Sequence, residues 1–353
     1  MRRPLKLPCH NNNNKNQDPF QQLPDDVVLL ILTKLSSTSS SPPHFLNVLL
    51  TCKRLNRLSL HPIVLSKAGP KVLAVKPQNW GETSHRFLKR CVNAGNVDAC
   101  YTLGMILFYC LQNRRNGLSL IAKAAIKMHA PALYSLAVIQ FNGSGGTKQD
   151  KDLRAGVALS LRASLLGHID ALRELGHCLQ DGYGIKQNVT EGRRLLVQAN
   201  MRELVFVLRA VMLDSPSRAA GSCQGRLLSL RNMTVPPLIS ANVYNVNLTV
   251  PDVHPANGFL REWFESGRGT LEDGLRLCAH IGCGRAETRP HEFRRCSVCG
   301  KVNYCSRGCQ SLDWKLRHKT ECSPELWFNE NNGGGAGGDV NMENDMVVQN
   351  AAV

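Results

Sequence analysis

Asp98-Ala99-Cys100-Tyr101-Thr102-Leu103-Gly104, Ala132-Leu133-Tyr134-Ser135-Leu136-Ala137 and Ala171-Leu172-Arg173-Glu174-Leu175-Gly176 are one pattern written three times. The leading alanines recur at intervals of 33 and 39 residues, a spacing that points to stacked supersecondary units. Similar lead-ins precede the copies: Asn93-Ala94-Gly95-Asn96, Lys127-Met128-His129 and Leu166-Gly167-His168. Turns follow two of them, Asn142-Gly143-Ser144-Gly145 and Asp181-Gly182-Tyr183-Gly184, whereas the first copy lacks the Gly-x-Gly turn. Alanine and glycine suit positions where helix backbones approach closely, and Gly-x-Gly supplies a positive-φ turn. The pattern predicts a mainly α protein whose centre is a solenoid of helix-turn-helix repeats.

These motifs resemble Sel-like repeats, relatives of tetratricopeptide repeats, and the resemblance covers residues 85–213. It implies a surface offered to protein partners. The glycines of Gly143 to Lys148 do not make a phosphate loop, because no Gly-Lys-Ser/Thr follows at the required spacing. Met201 to Leu213 reads as one more helix. The 214–275 region reads as irregular, with a strand between Pro236 and Pro255, where apolar and polar residues alternate. Phe259 to Phe264 reads as a short helix whose aromatics pack on a neighbour. Residues 1–19, rich in Asn, and 329–353, rich in Asn and Gly, have the composition of disordered segments.

Composition narrows the class. At 43% hydrophobic and 20% charged residues the chain is an ordinary globular sequence. Its longest apolar stretch, Leu103 to Leu111, is too short to span a bilayer. The first residues lack the apolar core of a secretion signal. These features predict a protein of the nucleus and/or cytoplasm, with no membrane role. Of fourteen cysteines, seven fall between Cys278 and Cys322. In a reducing compartment such clustering favours metal ligands over disulfides. The other seven, Cys9, Cys52, Cys91, Cys100, Cys110, Cys178 and Cys223, read as small buried apolar residues.

The ligand set is Cys278-x4-Cys283-x12-Cys296-x2-Cys299-x5-Cys305-x3-Cys309-x8-His318-x3-Cys322. Eight soft or borderline donors satisfy two tetrahedral zinc ions and leave no coordination position open, which is a structural rather than a catalytic arrangement. Ser306 is placed to cap a helix that carries the last ligands. His280 and His291 lie nearby but outside the set. The spacing resembles the MYND zinc finger, here residues 276–322. By that resemblance Cys278, Cys283, Cys305 and Cys309 hold one zinc, while Cys296, Cys299, His318 and Cys322 hold the other. The resemblance also implies a groove for short Pro-containing peptides, with Gln310 and Trp314 as its contacts. Val235-Pro236-Pro237-Leu238-Ile239 resembles such a peptide on the same chain.

The metal changes the charge. The formal net charge is +16, of which the 276–322 segment carries about +6. Seven thiolates remove seven charges and two zinc ions return four, leaving the module near +3 and the chain near +13. That is a modest positive patch and argues against a nucleic-acid surface.

Residues 20–66 open with Leu23-Pro24-Asp25-Asp26, a helix start, followed by an apolar face through Val27, Val28, Leu30, Ile31 and Leu35. A Ser/Pro break spans Ser36 to Pro43, and a second apolar helix follows through Phe45, Leu46, Leu49, Leu50, Leu55 and Leu58. Two short helices cannot bury enough surface alone and require a neighbour. The block resembles an F-box, although Leu55 stands where many members carry Trp. The resemblance implies that Leu23, Pro24, Ile31 and Leu32 dock onto the Skp-type adaptor of a cullin-RING ubiquitin ligase. The competing structural role is a helix pair capping the solenoid. F-box, Sel-like repeats and MYND finger together resemble a plant F-box group. The implied function is a non-catalytic, substrate-recruiting ligase subunit. The alternative is a transcriptional co-regulator using the finger as a docking module. A methyltransferase reading lacks the cofactor loop it needs.

Overall fold

The computed structural model describes residues 22–214 and 253–323, with the backbone alone for 206–214. The polar N-terminus with Cys9, Cys223, most of the alternating Pro236–Pro255 stretch, the Val235–Ile239 segment and the C-terminal tail lie outside the described residues.

The N-terminal block forms four helices: α1 (Asp25–Thr38), α2 (Pro42–Thr51), α3 (Lys53–Ser59) and α4 (Pro62–Ser66). The expected Ser/Pro break is shorter than its composition suggests. Ser37 and Thr38 hydroxyls donate to the Lys34 carbonyl, and Ser39 to that of Leu35, so α1 continues to Thr38. Pro42 then occupies the first position of α2, where a missing N–H costs nothing. The second predicted helix is in fact two. Cys52 is extended and its sulfur accepts the Leu55 N–H, capping α3. Cys52 is exposed, against the expectation of a buried thiol, whereas Cys91, Cys100 and Cys178 are buried.

Helix α5 (Glu82–Asn93) leads into α6 (Val97–Met105), which ends in a π turn over Ile106–Cys110. There follow α7 (Arg114–Ile126), α8 (Ala130–Asn142), α9 (Leu153–Leu165), α10 (Ile169–Asp181) and α11 (Val189–Asp214). The predicted last helix is therefore the end of a single long one. Gly143 and Gly182 adopt the left-handed conformation at the ends of α8 and α10, as their Gly-x-Gly turns require. The first repeat, without that turn, closes on Gln112 at φ 53°. A Cβ on Gly192 would sit 2.7 Å from the Gly176 carbonyl, so α10 and α11 cross at backbone contact.

The N-terminal block and the solenoid share one core. Val28, Leu32, Phe45, Leu58, Leu88 and Leu103 are buried in a single apolar cluster with Phe259 and Trp263 of α12 (Pro255–Glu265). The expected packing role of these two aromatics is met: their rings stack at 5.7 Å, and Trp80 meets Phe259 edge-on. Asn96 ties the join. Buried, it caps α6 with its side-chain oxygen and donates to the Leu65 and Ala68 carbonyls at 2.9 and 2.8 Å. The C-terminal module has a two-residue antiparallel hairpin, β1 (Arg294–Arg295) with β2 (Asn303–Tyr304), followed by α13 (Arg307–Asp313), a π turn and the short α14 (Lys319–Glu321). No described helix is long and apolar enough to cross a membrane.

Candidate metal centres and their docking surface

The eight predicted ligands converge into two clusters. The donor atoms of Cys278, Cys283, Cys305 and Cys309 lie within 4.8 Å of one another, and so do those of Cys296, Cys299, His318 and Cys322. Local structure explains the convergence. Gly300 turns at φ 63° after Cys299, and a Leu277–Ala286 bridge closes the loop holding Cys278 and Cys283. Ser306 caps α13 as expected, accepting the Cys309 N–H at 3.0 Å. Cys322 follows the end of α14, its N–H donating to the His318 carbonyl.

The spacings fit zinc. Sulfurs about 2.3 Å from a tetrahedral centre lie about 3.75 Å from one another, whereas a disulfide brings them to about 2.05 Å. Observed separations are 3.5 Å for Cys283–Cys305 and 3.6 Å for Cys305–Cys309. In the second cluster Cys296 and Cys322 are 4.0 Å apart, and His318 Nε2 is 3.4 Å from both Cys296 and Cys299. The two clusters fit two zinc ions, paired as the resemblance implied.

Around the first cluster the structure adds a residue the spacing does not reveal. Arg285 is buried, donates to Cys283 Sγ at 3.3 Å and to Ser135 Oγ of α8 at 2.9 Å, and lies over the Tyr134 ring. A guanidinium beside thiolates offsets part of the negative charge of a four-cysteine site.

The module is not a separate bead. Its cysteines share an apolar cluster with Tyr101, Tyr109, Leu133 and Tyr134 of the solenoid. Asn142 donates to the Cys305 carbonyl at 2.8 Å, Tyr134 pairs with Ser306, and Ser144 with Glu292. Buried Glu174 of α10 accepts the Gly308 N–H at 2.7 Å at the start of α13. Burial pushes the Glu174 carboxyl up, while the Gly308 N–H and Arg307 pull it back. The module thus occupies the face built by α8 and α10, part of the solenoid surface expected to be offered to partners.

A third group, Asp98, His129 and His254, also brings metal-type donors together. Its hydrogen bonds already engage three of the four ring nitrogens. Nδ1 of His129 accepts the Ala132 N–H and Nδ1 of His254 accepts the Ala256 N–H. His129 Nε2 donates to Asp98 at 3.1 Å. Burial pushes His254 down to about 4, so it stays neutral at physiological pH.

Of the other predicted contacts, Gln310 and Trp314 lie one turn apart and half-buried, Trp314 edge-on to His318. His280 is buried and His291 exposed. In the N-terminal block Pro24 and Ile31 are exposed and Leu23 half-buried. Leu32 is a correction. It is 3% exposed, packed with Val28 and Phe45, and is a core residue rather than a surface contact. Leu30 and Leu50, which the helical pattern placed on apolar faces, are 72% and 83% exposed. Asp25 holds the block together through Arg54 at 2.7 Å and Arg57 at 2.9 Å.

Comparison with known proteins gives three family matches: plant tetratricopeptide repeats over residues 71–172, a Sel1 repeat over 169–202 and a MYND finger over 278–322. Within the finger the chain is 44% identical over 41 residues to the MYND-type zinc finger protein MUB1 of Saccharomyces cerevisiae, 12% of this chain and 7% of that protein. Two Arabidopsis thaliana proteins match along almost the whole chain. F-box protein At1g67340 is 62% identical over 91% of this chain and 85% of its own length. F-box protein At5g50450 is 60% identical over 90% of this chain and 89% of its own. Repeats and a MYND finger behind an F-box make an architecture for protein interaction. With this identity along nine tenths of its length, the chain belongs to the family of these Arabidopsis F-box proteins.

Proposed function

We propose that the protein is the substrate-recruiting subunit of an SCF-type cullin-RING ubiquitin ligase. It binds a Skp-type adaptor through the N-terminal block and target proteins through the repeat and finger body, in the nucleus and/or cytoplasm. The observation that carries this reading is the exposed apolar set Leu30, Ile31 and Leu50 on a block whose relatives are F-box proteins. Exposed leucines of this size gain on the order of 2 kcal/mol each when a partner covers them. Leu23 and Pro24 flank the same helix start. Gln310 and Trp314 are the contacts for a Pro-containing peptide. The protein supplies no catalytic step of its own in this reading; it positions a target.

A pull-down tests it. The wild-type chain is expected to retain the adaptor, and Leu30→Asp combined with Leu50→Asp to lose it, at unchanged zinc content and circular dichroism. Loss is also expected with Leu23→Ala and Pro24→Ala. A folded wild-type chain that retains no adaptor refutes the ligase role and favours a co-regulator.

A further inference from the structure

Between the solenoid and the finger runs a cationic cleft that neither the zinc sites nor the N-terminal block explains. It consists of two adjoining clefts of about 440 and 450 Å³, joined at Lys151 and His291. The solenoid contributes Lys148 and Lys151 from the turn between α8 and α9, and the finger contributes Arg289, Arg294 and Arg307. The side chains of Lys148, Lys151 and Arg294 make no hydrogen bond or ion pair with the described residues.

The carboxylates in and beside the cleft are engaged. Asp150 accepts from Thr147, Glu292 from Thr288 and Ser144, Glu174 from the N–H groups of Arg307 and Gly308, and Asp181 pairs with Arg307 at 2.9 Å. Burial, with Arg289 and Lys148 nearby, pulls Lys151 down from its ordinary value. Arg294 is exposed on the finger wall of the cleft. A partly desolvated cation such as Lys151 in the field of its neighbours is unfavourable unless an anion joins them. Such a cleft gathers negative charge and holds it more strongly than an open surface.

The walls indicate which anion. A single-stranded nucleic acid requires open aromatic faces for its bases. Here Phe141 and Phe293 are buried, and the Tyr183 face is covered by Arg307 at 4.0 Å. An extended segment with carboxylates at intervals meets cations on both walls without any stacking. We infer that this cleft is a docking site for an acidic peptide segment of a partner protein, gripped jointly by the solenoid turn and the finger. It is distinct from the Pro-peptide contacts at Gln310 and Trp314 and does not depend on the ligase role.

The test uses the full-length zinc-loaded chain and a fluorescein-labelled peptide of alternating glutamate and serine, read by anisotropy at physiological salt. Saturable binding is expected. Lys151→Glu with Arg294→Glu weakens it at least tenfold, and the exposed Lys148→Glu about threefold. Lys151→Arg retains it, and Lys89→Glu on α5, outside the cleft, leaves it unchanged. Zinc content and circular dichroism verify folding of each variant. Absence of saturable binding overturns the inference. So does equal weakening by Lys89→Glu, which makes the effect one of net charge. Displacement of the peptide by an oligonucleotide of similar charge reassigns the cleft to nucleic acid and overturns it as well. The segment 324–353 holds five acidic and no basic residues. Binding that appears only when Glu325, Glu330, Asp339, Glu343 and Asp345 are neutralised makes this chain's own tail the occupant, and the partner is then refuted.

Discussion

The two four-ligand clusters are near-copies in chemistry and differ in setting: both give cysteines to the apolar cluster shared with the solenoid, but only the first is wholly buried and linked to α8 through Arg285. Cys278, Cys283, Cys305 and Cys309 are all buried, share an apolar cluster with solenoid tyrosines and lie beside the Arg285 link to Ser135. Cys296, Cys299, His318 and Cys322 form the outer cluster, with Cys322 half-buried beyond the last helix. The same ion thus has two jobs. At the inner site it holds together the surface by which finger and solenoid dock. At the outer site it holds the β-hairpin to the α13–α14 end of the finger. The difference teaches that a metal's contribution to a fold depends on what its ligands touch beyond the metal.

The largest effect is expected at the inner site. Cys305→Ser removes a ligand whose carbonyl also accepts from Asn142. Structural zinc contributes on the order of 10–16 kcal/mol to small modules, so losing it destabilises by several kcal/mol. We expect zinc content near one ion per chain, and hydrogen-exchange protection lost in α8 and α10 as well as in the finger. Unchanged protection in those helices breaks the distinction between the sites. Next comes Arg285→Met, which keeps all eight ligands but leaves Cys283 and Ser135 without their shared donor. Removing one partner of a buried charged pair costs roughly 3–5 kcal/mol. Denaturant melts should show that loss while zinc content stays at about two; a neutral result makes Arg285 incidental to docking. The smallest effect on the solenoid is expected from Cys322→Ser. It should release the outer zinc and loosen the hairpin, while α8 and α10 exchange within about 1 kcal/mol of wild type, as distant sites do. A large loss of protection there sharpens the picture differently, by making the finger one cooperative unit.

Legibility in the sequence followed the range of the interactions. Ser306 capping α13, the Gly143 and Gly182 turns and the Gly300 turn after Cys299 are local, within a few residues, and spacing reveals them. Leu32 illustrates the limit. It lies on the same apolar helical face as Ile31, and only the packing of Phe45 and Leu58 against α1 puts it inside while Leu30 stays out. The Ser-rich stretch misleads in the opposite direction, because hydroxyls that favour turns can also bond back to helical carbonyls.

By itself the sequence determined the helical repeats, the eight zinc donors and the place of the N-terminal block, since periodicity and ligand spacing are short-range properties; their division into two sets of four was implied by the family resemblance. Tertiary structure alone decided that the finger is built into the solenoid, that Arg285 bridges them, and that cations from two distant segments line one cleft. The bonds responsible join residues 163, 150 and 134 positions apart: Asn142 to Cys305, Arg285 to Ser135 and Gly308 to Glu174. A contact over such a separation leaves no periodic trace in the chain, because its partners are brought together only after each has been placed by its own local structure.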